Sequence, residues 1–290
     1  MDFGEFIVCV VSLVLTGLFL YRWYRGIANS LAVKRNAAAR VAMGLLPLAA
    51  LIIITVTLAS LASFDVEDGW ILFYILIGFA WLYFGLLLMF AFFDLSWLDD
   101  ALHRNNPAAV IAVICGGLGI ILTYAGSNIG DGPGWWCVFF AGGLGLAAWV
   151  ILGVIVDRVT GVFKRITVGR DIPCAVRTGG YLLAGGLILG RACAGDWTSF
   201  GKTVVEFGDG WPVLLLTAIF IGVELLIVRA EGQEQIRESD RKRVSLAASI
   251  ALGIAFIAAA VLAIYLLPPL PKNPIYRQAP QPVYEWGYPW

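Results

Sequence analysis

The chain is short of charge. Only 14% of its 290 residues are charged, whereas a soluble domain usually carries about 25%. Its 20 basic and 20 acidic residues cancel, so the chain has no net positive field to attract nucleic-acid phosphates. The composition therefore argues against a soluble domain and against a nucleic-acid partner.

The residue types that build metal and hydrolase sites are also scarce. His103 is the single histidine, which excludes a multi-histidine metal site within one chain and a histidine-dependent catalytic triad inside a membrane. The five cysteines form no Cys-x-x-Cys pair and stand in apolar segments, where cysteine commonly serves as a small packing residue. The sequence predicts no catalytic residue, no metal and no cofactor, and we expect a protein that is not an enzyme.

Apolar residues are abundant instead. They make up 60% of the chain and form eight continuous runs, each long enough to cross a hydrocarbon core of about 30 Å as a helix. Continuous runs favour helices over barrel strands, in which lipid-facing and lumen-facing residues alternate. We predict an all-α integral membrane protein with eight spans, at residues 6–24, 41–62, 70–93, 108–128, 135–156, 174–195, 211–228 and 246–267.

Lys and Arg indicate how these spans are oriented. The first, third, fifth and seventh connections hold most of the basic residues, whereas the other connections hold Lys202 beside several acidic side chains. Because short cytoplasmic loops collect Lys and Arg, the basic connections are predicted to face the cytoplasm. Both termini then lie outside, and the acidic opening "MDFGEF" argues against a cleaved signal peptide.

Two motifs recur along the chain. "VEDGW" (66–70), "DGPGWW" (131–136) and "FGDGWP" (207–212) are predicted as outside turns before a helix, and "RNAAA" (35–39), "RNNPAA" (104–109) and "RDIPCA" (170–175) as inside helix starts. Asn or Asp can cap such a start, and proline suits the first turn. The recurrence predicts two tandem parallel four-helix repeats. The units cover residues 1–130 and 131–267, and a Pro- and aromatic-rich extracytoplasmic tail covers 268–290.

The span "HRNNPAAVIAVICGGLGIILTYAGSNIGDGPGWW", with "RDIPCAVRTGGYLLAGGLILGRACAGDW" after the next helix, resembles the YjfL-like bacterial inner-membrane family, known as domain of unknown function 350. The resemblance is best over residues 105–197 and extends more weakly over 6–267. It implies a multi-pass protein of the bacterial inner membrane without established activity, from a family often encoded near membrane-stress proteins. Arg191 departs from the family pattern, which has a neutral polar residue there.

Ionisable residues inside the predicted spans are the first candidates for a functional site. Arg177 and Glu224 lie at similar depths, roughly 6 and 8 Å from the inner ends of their helices at 1.5 Å per residue. The matching positions in the other predicted repeats hold apolar or aromatic residues, so the two charges appear together and only once. This pattern favours a structural ion pair over a proton or cation relay.

A second group of polar candidates is predicted at the outer interface. Arg191 lies roughly 8 Å below the outer end of its helix, and its long side chain is expected to extend toward Asp196. Ser127 and Asn128 end the fourth span at the same side. These residues are predicted as polar groups of the outer interface.

Three further segments suggest partners beyond the lipid bilayer. The glycine-rich stretches near 115–119, 141–146 and 178–190 favour close helix packing and a possible homo-oligomer; a glycine-lined pore is the alternative. The stretch 229–243 is predicted as a solvated charged helix that contacts anionic lipid. The tail is predicted to be extended, either on the outer interface or bound to an envelope protein.

These observations lead to two functional hypotheses. The first is a non-enzymatic inner-membrane protein in envelope maintenance or membrane stress, and the alternative is an ion channel or small-solute transporter. Polar residues within the predicted spans are sparse, which weakens the alternative because ion and solute pathways are marked by polar and ionisable groups.

Overall fold

The computed structural model describes residues 2–29, 37–234 and 244–277. Arg35 and Asn36 of "RNAAA", the charged stretch at 235–243 and residues 278–290 of the predicted tail lie outside these ranges. The prediction of an extended tail at 268–290 is wrong at Pro274–Arg277, which form a short helix that starts at a proline. The described residues include a π-helix (Trp97–His103) and a 3-10 helix (Gly208–Gly210). The α-helices of the described residues are α1 (Phe3–Asn29), α2 (Ala37–Leu61), α3 (Gly69–Phe93), α4 (Pro107–Ser127), α5 (Trp135–Thr160), α6 (Val162–Thr167), α7 (Ile172–Cys193), α8 (Phe200–Phe207), α9 (Pro212–Glu234), α10 (Leu246–Leu266) and α11 (Pro274–Arg277).

Eight helical segments of the described residues are long and apolar enough to cross a membrane. They are α1 to α5, α7, α10 and the combined segment Phe200–Ala230, which contains α8 and most of α9. The chain is a multi-pass membrane protein. The predicted helical class and the predicted number of spans are confirmed, whereas the grouping into tandem four-helix repeats stays a prediction.

The seventh span begins earlier than the sequence predicts. At "FGDGWP" the structure has a 3-10 helix and a turn at Trp211, which join α8 to α9 within the candidate span Phe200–Ala230; the location of this segment outside the membrane stays a prediction. At the end of the 3-10 helix the Trp211 N–H donates to the Gly208 carbonyl at 3.0 Å. Pro212 then begins α9, at a position where a helix needs no N–H donor.

Two helix starts at the recurring Asn and Asp positions are confirmed. Asn106 Oδ1 accepts a hydrogen bond from the Ala108 N–H at 3.0 Å, and Asp171 Oδ1 accepts one from the Cys174 N–H at 2.9 Å. These side chains satisfy backbone donors that have no partner within the first helical turn. The helices α4 and α7 therefore begin where the sequence places them.

The centre of the bundle is formed by α4 and α7. In the most apolar 18-residue stretch of each of these two helices, 72% of the residues are buried, compared with 17% for α1 and 22% for α10. A Cβ atom added at Gly126 would lie 2.0 Å from the carbonyl oxygen of Gly190, and one at Gly186 would lie 2.5 Å from Gly119 Cα. Glycine thus allows the two backbones to approach closely, as small residues do in membrane helices. These glycine-rich faces pack within the chain, and a homo-oligomer stays a prediction.

The helices α2, α4, α7 and α10 end side by side. The Gly130 N–H donates to the Leu61 carbonyl at 3.1 Å, and the Gly195 N–H donates to the Ile129 carbonyl at 2.8 Å. The segment after α10 joins through the Asp196 N–H and the Pro271 carbonyl, 3.0 Å apart. We call this end of the bundle the acidic end and the opposite end the basic end, after the charged residues in the loops at each end. These hydrogen-bonded helix ends come from both predicted units, and the division into two units stays a prediction.

Candidate functional site

A buried charge network lies near the basic end, with Glu224 of α9 at its centre. The Glu224 side chain is 0% exposed, and that of Arg177 on α7 is 1% exposed. Arg177 Nε donates to Glu224 Oε1 at 2.5 Å, and Arg177 Nη2 donates to Oε2 at 3.1 Å. Such a two-pronged contact is the strongest geometry available to an arginine and a carboxylate. The structure thus brings together the two ionisable residues that the sequence predicts at one depth.

The same carboxylate holds a second arginine, which sequence reasoning missed. Arg165 of α6 donates from Nη1 to Glu224 Oε2 at 2.8 Å and from Nη2 to Asp171 Oδ2 at 3.0 Å. Arg177 Nη1 donates to Ser249 Oγ on α10 at 2.7 Å. The two arginines and two carboxylates cancel in formal charge. The network therefore ties α6, α7, α9 and α10 together without a net charge.

The position of Arg165 depends on the short helix α6. Gly161 ends α5 with φ at +65°, a conformation that favours glycine. Asp157 Oδ1 accepts a hydrogen bond from the Phe163 N–H at 3.1 Å, and the Phe163 ring stacks on Phe93 with centroids 4.4 Å apart. These contacts fold α6 back against the bundle, so that Arg165 points at Glu224 rather than into solvent.

Electrostatics keep Arg165 charged in this position. Burial opposes its charge, but the carboxylates of Glu224 and Asp171 more than offset that effect, so the pKa of Arg165 lies above the usual arginine range. Asp171 has two roles here, since one of its oxygens caps α7 and the other accepts from Arg165. The recurring acidic or amide residue at helix starts is the sequence signal that identifies Asp171, one partner in the contact with Arg165.

A polar recess lies at the acidic end. Its volume is about 70 Å³, and its lining includes the predicted residues Ser127, Asn128 and Asp196. Ser127 Oγ and Asn128 Nδ2 both donate to the Tyr124 carbonyl, at 2.7 and 2.8 Å. Both side chains therefore cap the end of α4. The acidic residues that share the lining are Asp65, Asp131 and Glu206.

Asp196 fastens several connections at this recess. It is 4% exposed, and its two oxygens accept the N–H groups of Asp131 at 3.0 Å and Asn273 at 2.9 Å. Asn273 Nδ2 also donates to the Trp197 carbonyl at 2.7 Å. The segment after α10 is thereby bound across the end of α7.

The predicted contact between Arg191 and Asp196 is wrong. Arg191 Nη2 donates instead to the Pro268 carbonyl, at the end of α10. The two oxygens of Asp196 accept the backbone N–H groups of Asp131 and Asn273 instead. Arg191 therefore stabilises the exit of α10 and not the acidic connection.

Sequence reasoning also missed an arginine within the first predicted span. Arg22 of α1 donates from Nη1 to the Tyr83 hydroxyl on α3 at 3.0 Å. It lies close to the basic end of α1, where a long side chain can reach a polar partner at modest cost. Its position near the end of the run 6–24 is the signal that could have identified it.

The described side chains offer little to hold a metal ion. Within residues 2–29, 37–234 and 244–277, no group of three or more His, Cys, Asp or Glu side chains is placed to bind one. The predictions of no metal, no cofactor and no catalytic residue stay predictions.

Comparison with known proteins gives no assignment. No protein-family model, curated protein or solved structure matches the chain. The resemblance to the YjfL-like family therefore stays an expectation from the residues quoted above.

Proposed function

We propose that this chain is a non-enzymatic, non-conducting protein of the bacterial inner membrane that acts in envelope maintenance or membrane stress. The observation that carries the proposal is that the Glu224 side chain of α9 is fully buried and is paired with arginine. Both of its oxygens accept hydrogen bonds from arginine. A carboxylate that relayed protons or cations would need contact with water or with a mobile ion.

Helix packing supports the same proposal. The central helices meet at glycine backbones, as at Gly119 and Gly186. Beside this contact, the cavity lined by Trp149 and Tyr181 has a volume of about 10 Å³, which is space for about one water molecule. A tightly packed centre of this kind fits a rigid bundle better than a solute pathway.

The orientation of the protein is part of the proposal. The basic end carries Arg104, Lys164 and Arg170, and the positive-inside rule then assigns it to the cytoplasm. Both termini lie outside in this arrangement. The predicted tail, residues 268–290, then follows α10 on the outer side and is our candidate contact for an envelope protein.

The test is a charge-balanced replacement of the central pair. Arg177→Met with Glu224→Leu removes one positive and one negative charge, and Arg165 keeps its partner Asp171. Apolar residues of similar volume can replace a buried ion pair at little cost. We expect this variant to complement the envelope-stress phenotype of a strain that lacks the protein. Loss of complementation by a variant that is inserted and folded would contradict the proposal.

The recess at the acidic end supports a second candidate, an ion channel or small-solute transporter. Asp65, Asp131 and Glu206 line a polar cavity that could collect cations or amines. A path that leads from this recess across the bundle and uses Glu224 as its intramembrane carboxylate would lose flux in proteoliposomes, as well as complementation, in the same double variant. The variant therefore separates the two functions.

A further inference from the structure

The polar recess at the acidic end carries negative charge that no neighbouring basic side chain balances. Asp65 lies between α2 and α3, Asp131 between α4 and α5, and Glu206 on α8, and all three line the cavity of about 70 Å³. None of the ion pairs among the described residues involves these carboxylates. The recess therefore presents three charged acceptors without a cationic partner.

A buried hydroxyl without a partner faces the same space. Tyr74 of α3 is 8% exposed and lines the recess, and its hydroxyl makes no hydrogen bond to the rest of the described chain. Among the described residues only Trp81 has a fully enclosed side-chain nitrogen or oxygen that lacks a partner, so the Tyr74 hydroxyl reaches open space, and the recess is the space that Tyr74 lines. Because buried polar groups normally have a partner, this hydroxyl indicates a polar ligand in the recess.

The carboxylates of this end act together on the segment after α10. Burial raises the pKa of the Tyr276 hydroxyl on α11, and the carboxylates of Asp131, Asp196 and Asp65 raise it further. Their negative charge thus disfavours a second negative charge near the recess. The same field attracts a positively charged ligand.

The arrangement of the acidic side chains favours an ammonium group over a metal ion. In the part of the chain that the structure describes, no three His, Cys, Asp or Glu side chains are placed to hold a metal, whereas a divalent cation takes several converging oxygen ligands. An ammonium nitrogen instead donates up to three separate hydrogen bonds. Because one water needs about 10–15 Å³ of such volume, the recess has space for roughly five non-hydrogen atoms.

We propose that this recess binds the ammonium group of a small primary amine. The carboxylates of Asp131 and Glu206 accept its N–H groups in charge-assisted hydrogen bonds, and the Tyr74 hydroxyl accepts a third. The apolar wall at Val138 and Ala141 of α5 contacts its carbon chain. Binding at this end of the bundle needs no path across the membrane, so the site does not depend on whether the protein conducts.

The first test measures the binding of labelled n-propylammonium to the purified full chain in detergent by equilibrium dialysis. The wild type should bind saturably, near one per chain. Asp131→Asn should weaken binding roughly tenfold or more, as expected for a lost hydrogen bond to a charged group, and Tyr74→Phe should also weaken it. The control Asp68→Asn removes the same charge at an exposed position outside the recess and should bind like the wild type. Equal weakening in Asp131→Asn and Asp68→Asn, unchanged binding in Tyr74→Phe, or no saturable binding by the wild type would overturn the proposal.

A second measurement uses the wild type alone and keeps the proposal testable if Asp131→Asn does not fold. Ethylammonium should displace the bound n-propylammonium, because it offers the same N–H donors. Tetramethylammonium carries the same charge without N–H donors and should not displace it, and neither should Mg²⁺ at equal ionic strength. Displacement by tetramethylammonium would show attraction by charge alone and contradict a hydrogen-bonded site. Displacement by Mg²⁺ would assign the recess to a metal cation instead.

Discussion

Replacement of Glu224 by leucine tests the buried network most severely. The change removes the carboxylate that faces both Arg165 and Arg177. Asp171 still balances Arg165, but Arg177 keeps only the Ser249 hydroxyl as a partner. Removal of one partner of a buried ion pair typically costs about 3–5 kcal/mol. We therefore expect Glu224→Leu to lose stability in that range.

Replacement of Arg177 should cost less. In Arg177→Met the Glu224 carboxylate keeps its contact with Arg165 at 2.8 Å. The loss is then closer to that of hydrogen bonds to a charged group, about 1.5–3 kcal/mol. The two single variants differ in stability because Arg165 also contacts Glu224. If Arg177 and Glu224 formed an isolated pair, the two stability losses would be similar.

The double variant completes a thermodynamic cycle. Arg177→Met with Glu224→Leu leaves the pair of Arg165 and Asp171 intact, so its loss should fall below the sum of the single losses by about 0.5–3 kcal/mol. Equilibrium unfolding in detergent measures the three variants against the wild type. Additive losses, or an Arg177→Met variant less stable than Glu224→Leu, would refute the reasoning.

Three further predictions address the rest of the bundle. Asp196→Ala should destabilise the protein by about 1–3 kcal/mol, because two partly buried backbone N–H groups lose their acceptor. A thermal transition equal to that of the wild type would contradict this role. Gly126→Val should overpack the contact with Gly190 and prevent correct folding. The control Gly143→Ala has open space around it and should give a normal monodisperse profile in size-exclusion chromatography. Similar profiles for the two variants would count against the close contact. In a cysteine-free background on intact spheroplasts, an impermeant thiol reagent should label Ser199→Cys and spare Val168→Cys, and the reverse pattern would invert the proposed orientation.

Sequence reasoning was most successful where one physical rule decides the outcome. Length and apolarity identify the spans, because backbone groups in lipid must be satisfied within a helix. The rise per residue was also sufficient to place Arg177 and Glu224 at one level. The capping residues Asn106 and Asp171 follow from the need of the first turn for acceptors.

The remaining features depend on how the chain folds back on itself. The contact of Arg165 with Glu224 requires the reversal at Gly161 and the packing of Phe163, neither of which a charged loop sequence indicates. Arg191 was assigned to the nearest acidic residue in sequence, whereas its actual partner belongs to the exit of α10. Long-range competition for hydrogen bonds decides such partners, and a helix-by-helix analysis does not include it.

The central claim is that the bundle does not conduct. The most direct test is ion flux through purified wild-type protein in liposomes, followed with an entrapped potassium- or proton-sensitive dye and compared with protein-free liposomes and with an added ionophore. We predict the same rate as in protein-free liposomes at every protein density. A flux that rises with protein density, and is lost in Arg177→Met with Glu224→Leu, would contradict the account and assign transport to the Glu224 network.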